Sequence, residues 1–186
     1  MTAQDLEVKD LPLEGAFIIK PKEFYDERGA FFKLYNREIL KSRNVEPFFA
    51  EDYISISKKG VIRGLHYQVD PFAQAKLVRC NRGEVFDVLV DLRKSSRTFG
   101  KWTSLVLSEE NKLSVYVPRG FAHGFLSMVD ESVVSYKADN DYSTPHERTL
   151  IWNDRTLNIN WPKTEKYLLS KKDQAGASFA QADKFE

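Results

Sequence analysis

The feature that most constrains this chain is the recurrence of short β-rich runs separated by turn residues, with scarcely any segment of helical period. AFIIK, AFFKLY, DYISIS, GVIRGLHYQ, AKLVRC, EVFDVLVDL, WTSLVL, SVYV, AHGFLSM, SVVSYKA and TLIW follow one another along the chain. Strands separated by crossover helices would show long 3.6-period stretches between them, so the pattern predicts an all-β sandwich or barrel. Only REILKSR, Arg37 to Arg43, reads as a short helix. Between Glu84 and Leu92, the residues Phe86, Val88, Val90 and Leu92 form one apolar face, while Asp87 and Asp91 interrupt the other. That is the period-2 signature of a strand with unequal faces. At 186 residues and 42% hydrophobic, the chain has enough apolar material for one core, and a single domain over 1–186 is expected. No repeat or linker breaks it. A polar tail after Leu169, including AGASFAQAD, lacks periodicity and is expected to pack poorly at its end.

Charge and cysteine usage narrow the function classes. Twenty-eight basic residues against twenty-seven acidic ones leave a formal charge of +1. No global basic field exists for nucleic acid or an anionic membrane to select, so any anionic ligand must be held locally. The opening MTAQDLEVKD is polar and no run approaches a membrane span, which predicts neither export nor insertion. Cys80 is the single cysteine, unable to form an internal disulfide or a multi-cysteine metal site, and it suits a reducing cytoplasm.

Two segments resemble the paired motifs of cupin barrels. Pro118-Arg-Gly120-Phe-Ala-His123 fits the Pro-x-Gly-x-x-His form, in which a turn feeds a histidine from the next strand into the lumen. Gly60 stands six residues before His66, and Lys76 seven before Gly83. The resemblance implies a jelly-roll, double-stranded β-helix barrel. Metal cupins place a second histidine where this chain has Gln68, and an acid where it has Lys76. An ammonium in a ligand slot opposes a bound cation, so a metal-free site without cofactor is expected. His66 and Lys76 then form an acid-base set: imidazole accepts a proton near neutral pH, and an ammonium stabilises a developing oxyanion.

Gly60-Val-Ile-Arg-Gly-Leu-His-Tyr-Gln68 resembles a segment of the dTDP-4-dehydrorhamnose 3,5-epimerases. The likeness runs through Asp26-Glu-Arg-Gly29, Ala75-Lys-Leu-Val-Arg-Cys80, Val117-Pro-Arg-Gly-Phe-Ala-His-Gly-Phe125, Tyr136-Lys137, Trp152-Asn-Asp154, Ile159-Asn-Trp-Pro162 and Ser170-Lys-Lys-Asp173. It implies a cytoplasmic isomerase that epimerises a nucleotide-linked 4-keto-6-deoxy hexose at C3 and C5. The implied catalytic residues are His66 as base, Asp173 as its partner, Lys76 for the enolate and Tyr136 as proton donor. Substrate contacts are implied for Arg28, Asp52, Arg63, His123, Tyr142, Glu147 and Lys172, with Tyr142 stacking on the base.

The resemblance also implies a homodimer with strands shared between subunits. Arg63, three residues from His66, points to the opposite face of an ideal strand. A bulge at Gly64 or a partner subunit's pocket must reconcile the two. Val134, Tyr136 and Ala138 share one face, but alternation leaves open which face is the lumen. Lys33, Glu51 and Tyr53 depart from the family pattern, which has glutamate at the first and glutamine and asparagine around Asp52 at the others. Competing readings are an epimerase acting at C3 or C5 alone, a metal-dependent cupin oxygenase or isomerase, and a non-catalytic sugar-binding cupin.

Overall fold

A computed structural model describes residues 5–46 and 48–186; residues 1–4 of the polar opening and residue 47 lie outside it. The strands are β1 (Leu6–Asp10), β2 (Phe17–Pro21), β3 (Glu23–Asp26), β4 (Gly29–Phe32), β5 (Glu51–Ser57), β6 (Ile62–Gln68), β7 (Lys76–Arg82), β8 (Glu84–Asp91), β9 (Trp102–Ser108), β10 (Ser114–Val117), β11 (Phe121–Ser127), β12 (Ser132–Ala138) and β13 (Glu147–Thr149). Two short helices, α1 (Arg37–Lys41) and α2 (Lys171–Gln174), complete the chain. The helix expected at Arg37 begins with Asn36, whose side chain accepts from the Glu38 amide at 2.8 Å and caps its first turn. Strands β1 and β3, in the polar N-terminal stretch, were not expected. No helix among the described residues is long and apolar enough to cross a membrane.

One sheet has the order β1-β2-β10-β7-β12-β5, the other β13-β6-β11-β8-β9, and β3-β4 forms a separate hairpin. The strand pairings in both sheets are antiparallel. The two faces meet in the mainly β arrangement the pattern predicts, of the cupin type the resemblance implies. Val78, Cys80, Val115 and Val134 of the first sheet pack against Val85, Leu89, Phe121 and Phe125 of the second. Alternation then fixes the lumen: Tyr136, two residues from Val134 on β12, packs on this interior cluster.

On β8 the face interrupted by aspartates is the interior one, carrying Val85, Asp87 and Leu89. The uninterrupted apolar face, with Val88, Val90 and Leu92, points out of the barrel. It is covered by Leu150, Leu157 and Ile159 and by Phe179 and Phe185 from the tail. The tail is therefore packed to its end, contrary to the expectation from its composition. Ala177 bridges to Leu150, Phe185 bridges to Arg93, and the Phe185 amide donates to the Leu92 carbonyl at 3.1 Å. Phenylalanines spaced six apart in a polar stretch show no period, yet two aromatic rings are enough to anchor it on an apolar sheet face.

The contact of β6 with β11 carries the bulge required by Arg63 and His66. His123 pairs with His66 and Phe125 with Arg63, so two steps on β11 match three on β6. Gly64 adopts φ +123°, and a Cβ there would lie 2.6 Å from the Gly124 Cα and 2.7 Å from the His123 carbonyl oxygen. Gly124 is equally crowded, its Cβ position being 2.5 Å from the Arg63 carbonyl oxygen. Both strands touch backbone to backbone here, which only glycine permits. Gly64→Ala is expected to cost about 2 kcal/mol or more, because neither backbone can retreat and the φ is unfavourable to alanine. Thermal unfolding should then show a melting point lowered by about 4 °C or more for a domain of this size; an unchanged melting point would mean that the ladder shifts freely.

Candidate active site

With that bulge, Arg63 and His66 line the same cavity, of about 440 Å³. His123, Tyr136 and Lys76 join them from β11, β12 and β7, and Asp173 from α2. A second hollow of about 220 Å³ adjoins it, sharing His66, Lys76, Tyr136 and Glu147 and adding Tyr53, Gln74 and Tyr142. A residue pattern scattered from position 63 to position 173 thus converges in one place. The partner-pocket explanation for Arg63 is not needed: it holds Ser57 Oγ at 3.0 Å and the Ile56 carbonyl at 3.1 Å within its own chain.

His66 Nε2 lies 2.5 Å from Asp173 Oδ1. Asp173 is buried, and although burial alone would raise its carboxyl, the His66 hydrogen bond and charge and the Ser170 hydroxyl hold it below the usual aspartate value. The ionised carboxylate therefore accepts a proton-bearing ring nitrogen and leaves the other nitrogen with its lone pair. Burial pushes the His66 pKa below its ordinary 6.5, outweighing the opposing pull of Asp173. The imidazole is thus neutral at physiological pH.

Asp173 reaches the lumen because α2 is capped there. Ser170 is its N-cap, and its hydroxyl accepts from the Asp173 amide at 3.1 Å. Ser-Lys-Lys-Asp is the Ser-x-x-acid spacing of a helix start, a signal present in the sequence of an otherwise aperiodic tail.

Burial pushes Lys76 down to about 8, with Glu147 and Asp87 opposing the fall by their charge. Asp87 is fully buried; its Oδ2 lies 2.9 Å from His123 Nε2, and its Oδ1 has no hydrogen-bond partner. It escaped the sequence reading because it looked like an interruption of an apolar strand. Burial also raises the Tyr136 phenol, against the lowering effect of Arg63 and Lys172, so it stays protonated in the neutral range.

Glu147 ties the mouth of the cavity together. It accepts from Lys172 Nζ at 2.7 Å and from the Tyr142 hydroxyl at 2.9 Å. Those bonds keep its carboxyl ionised despite burial. Gln68, at the former ligand position, is fully engaged as a brace for the neighbouring loop: its amide donates to the Phe72 and Asp141 carbonyls at 2.6 and 3.0 Å, and its oxygen accepts from the Ser143 amide at 2.6 Å. The Tyr142 ring remains half exposed at 49%. Among the described residues no group of three or more His, Cys, Asp or Glu side chains is placed to hold a metal ion. The polar interior instead offers a neutral base, a cation and a protonated phenol.

Arg28 and Asp52 are not brought to this cavity. Arg28 sits in the β3-β4 turn, bound to Asp26 at 2.6 Å with its side chain 85% exposed. Asp52 lies on the outer face of β5, paired with Lys137 at 2.6 Å; alternation with Tyr53, which faces inward, puts it there. Of the departing residues, Tyr53 lines the second hollow and bonds Glu51, whereas Lys33 pairs with Asp5 at 3.8 Å away from both.

A family model described as dTDP-4-dehydrorhamnose 3,5-epimerase matches residues 10–181. The dTDP-4-dehydrorhamnose 3,5-epimerase of Shigella flexneri is 52% identical over 176 residues, spanning 93% of this chain and 96% of its own. Among solved structures, the dTDP-4-dehydrorhamnose 3,5-epimerase from Elizabethkingia anophelis NUHP1 superposes with a TM-score of 0.91 at 46% identity, covering 95% of this chain and 97% of the other. The dTDP-6-deoxy-D-glucose-3,5-epimerase of Legionella pneumophila Philadelphia 1, solved with dTDP-4-keto-L-rhamnose, gives 0.91 at 38% identity over 96% of this chain and 95% of the other. Matched nearly end to end in sequence and in backbone, the chain belongs to the dTDP-4-dehydrorhamnose 3,5-epimerase family.

Proposed function

We propose that this chain is a cytoplasmic isomerase that inverts C3 and C5 of dTDP-4-keto-6-deoxyglucose, with His66 as the base. The observation that carries the reading is the His66–Asp173 pair at 2.5 Å in a cavity shared with Lys76 and Tyr136. Both C3–H and C5–H are adjacent to the C4 ketone, so loss of either proton gives an enolate whose charge rests on the C4 oxygen. One base and one cation therefore serve both centres. His66 takes the proton through its free ring nitrogen, and Asp173 stabilises the imidazolium that forms. Lys76 stabilises the enolate oxygen in surroundings where a charge counts for more than in water. Tyr136 returns a proton to the other face of the carbon, inverting it, and the next turnover follows exchange of both groups with solvent. No electrons leave the sugar, so the step needs no redox partner.

The cations Arg63 and Lys172 suit the diphosphate and Tyr142 the base, with His123 and Glu147 on the sugar side. Arg28, with the exposed Tyr25 and Phe31 beside it in the β3-β4 hairpin, is assigned to the cavity of a second subunit in a homodimer. The domain is taken to be the whole of 1–186.

Three experiments test this. In heavy water, the enzyme should incorporate deuterium at C3 and C5 of dTDP-4-keto-6-deoxyglucose, and His66→Ala should slow that exchange by about 10²-fold or more. Exchange at a normal rate in the variant would remove His66 as base, and labelling of one carbon alone would favour a single-centre epimerase.

The pH profile of kcat/KM should be bell-shaped. Protonated His66 cannot accept a proton, so activity rises with pH through a value below the ordinary 6.5; deprotonated Lys76 cannot hold the enolate, so activity falls again near pH 8. Lys76→Ala should abolish the alkaline limb and lower kcat about 10²- to 10³-fold.

Mixing inactive His66→Ala chains with Arg28→Ala chains should restore activity, because one site in the mixed dimer then holds both native groups. Failure of complementation after subunit exchange would place Arg28 outside the partner's cavity.

A further inference from the structure

Tyr53, a departure from the family pattern, stands in register directly opposite Tyr136 in the β5-β12 ladder. Both side chains therefore leave the same face of the sheet. Their rings stack with centroids 5.1 Å apart and planes at 29°. The two phenols are used differently. Tyr53 donates its hydroxyl to the Glu51 carboxylate, two residues back on the same strand face. Tyr136 has no hydrogen bond to its hydroxyl among the described residues, and it faces both hollows. One ring is tied down at its tip, and the other, held by packing against it and against the interior apolar cluster but untethered at its hydroxyl, presents a free acid to the cavity.

We infer that Tyr53, clamped by Glu51, is a positioning residue that fixes the plane of the Tyr136 ring and so decides how often an enolate is protonated on the inverting face. The inference rests on the proposed epimerisation. The physical reason lies in the choice open to the intermediate. Once His66 has removed a proton, the enolate can regain one from the His66 side, which restores the starting configuration, or from the Tyr136 side, which inverts it. His66 is anchored by Asp173 and needs no help from Tyr53. Tyr136 has a hydroxyl without a tether, and proton transfer demands placement to within a fraction of an ångström. Burial also raises the Tyr53 phenol, assisted by its bond to Glu51, so it keeps its proton and stays tied instead of competing as the acid.

The readout is the ratio of inversion to exchange in heavy water. Deuterium in recovered, uninverted dTDP-4-keto-6-deoxyglucose counts returns from the His66 side, and epimerised product counts deliveries from Tyr136. Tyr53→Ala should keep total exchange within about threefold of the native enzyme while inversion per exchange falls about tenfold or more. Tyr53→Phe keeps the stacked ring but loses the bond to Glu51, so it should recover only part of the ratio. Glu51→Ala leaves both rings and frees the clamp, so it should give an intermediate fall. An unchanged ratio in Tyr53→Ala, or a parallel loss of exchange and inversion there, overturns the proposal by showing no role or a merely structural one. If Tyr53→Ala does not fold, Glu51→Ala decides: a lowered ratio supports the clamp and a native ratio rejects it. Absence of exchange in the native enzyme would instead overturn the epimerase reading on which the ratio depends.

Discussion

The arrangement of the interior depends on a backbone contact, the closeness of Gly64 on β6 to Gly124 on β11. With no Cβ on either side, the two chains approach to a distance at which Gly64 adopts φ +123° and β6 gains one residue over its partner. That extra residue turns Arg63 to the face occupied by His66. Without it, period-2 alternation would send the guanidinium through the sheet into the cluster that holds Leu65 and Tyr67. A charge buried there without a partner would cost several kcal/mol. Two glycines therefore decide that a base and a phosphate-sized cation share a cavity.

The second determinant is the C-terminal segment, whose packing has chemical consequences. Phe179 and Phe185 lie on the apolar outer face formed by Val88, Val90 and Leu92. Leu168 pairs with Val61 and Ala177 with Leu150, which lays the segment between them along β6. Those anchors bracket Ser170 to Gln174 and leave α2 no other place than beside His66. Burial of apolar surface on one side of the sheet thereby positions a carboxylate at the other end of the same strand. The coupling explains why Asp173 can be buried and still ionised: its backbone is fixed by packing, so the His66 and Ser170 bonds cost little further ordering.

Much of this was legible in the residues. Strand alternation gave the β class, and a bulge at Gly64 was one of two solutions left open once Arg63 and His66 were asked to serve one ligand. Pro118 and Gly120 likewise announced the turn that feeds His123 into β11. What alternation cannot supply is the sign of a face. On β8 the more apolar side faced outward, because a tail with no periodicity of its own supplied the cover. A rule that sends the more apolar face inward fails wherever a third layer exists. Asp52 illustrates the opposite case: Tyr53 and Asp52 are neighbours, so only one of them can face the lumen, and the structure puts Asp52 with Lys137 outside. Arg28 is of a third kind, since its exposed hairpin ties it to Asp26 away from the cavity of its own chain.

Glu51 and Tyr53, both of which the resemblance marks as unusual, are better regarded as one feature than as two. A tyrosine at position 53 puts a phenol in a half-buried wall, where its hydroxyl needs an acceptor. The strand offers one at position 51, the nearest residue on the same face, and a carboxylate there accepts more strongly than a neutral amide. The Glu51 bond lies within β5, Gln74 adds a contact to the Tyr53 hydroxyl, and none of His66, Lys76, Asp173 or Glu147 is drawn on. It therefore reshapes the wall beside Tyr136 without altering the electrostatics that hold His66 neutral and Asp173 ionised. Lys33, paired with Asp5 outside both hollows, leaves that balance equally undisturbed. Sequence differences at the edge of such a site can change where a proton is delivered while the group that removes it stays the same.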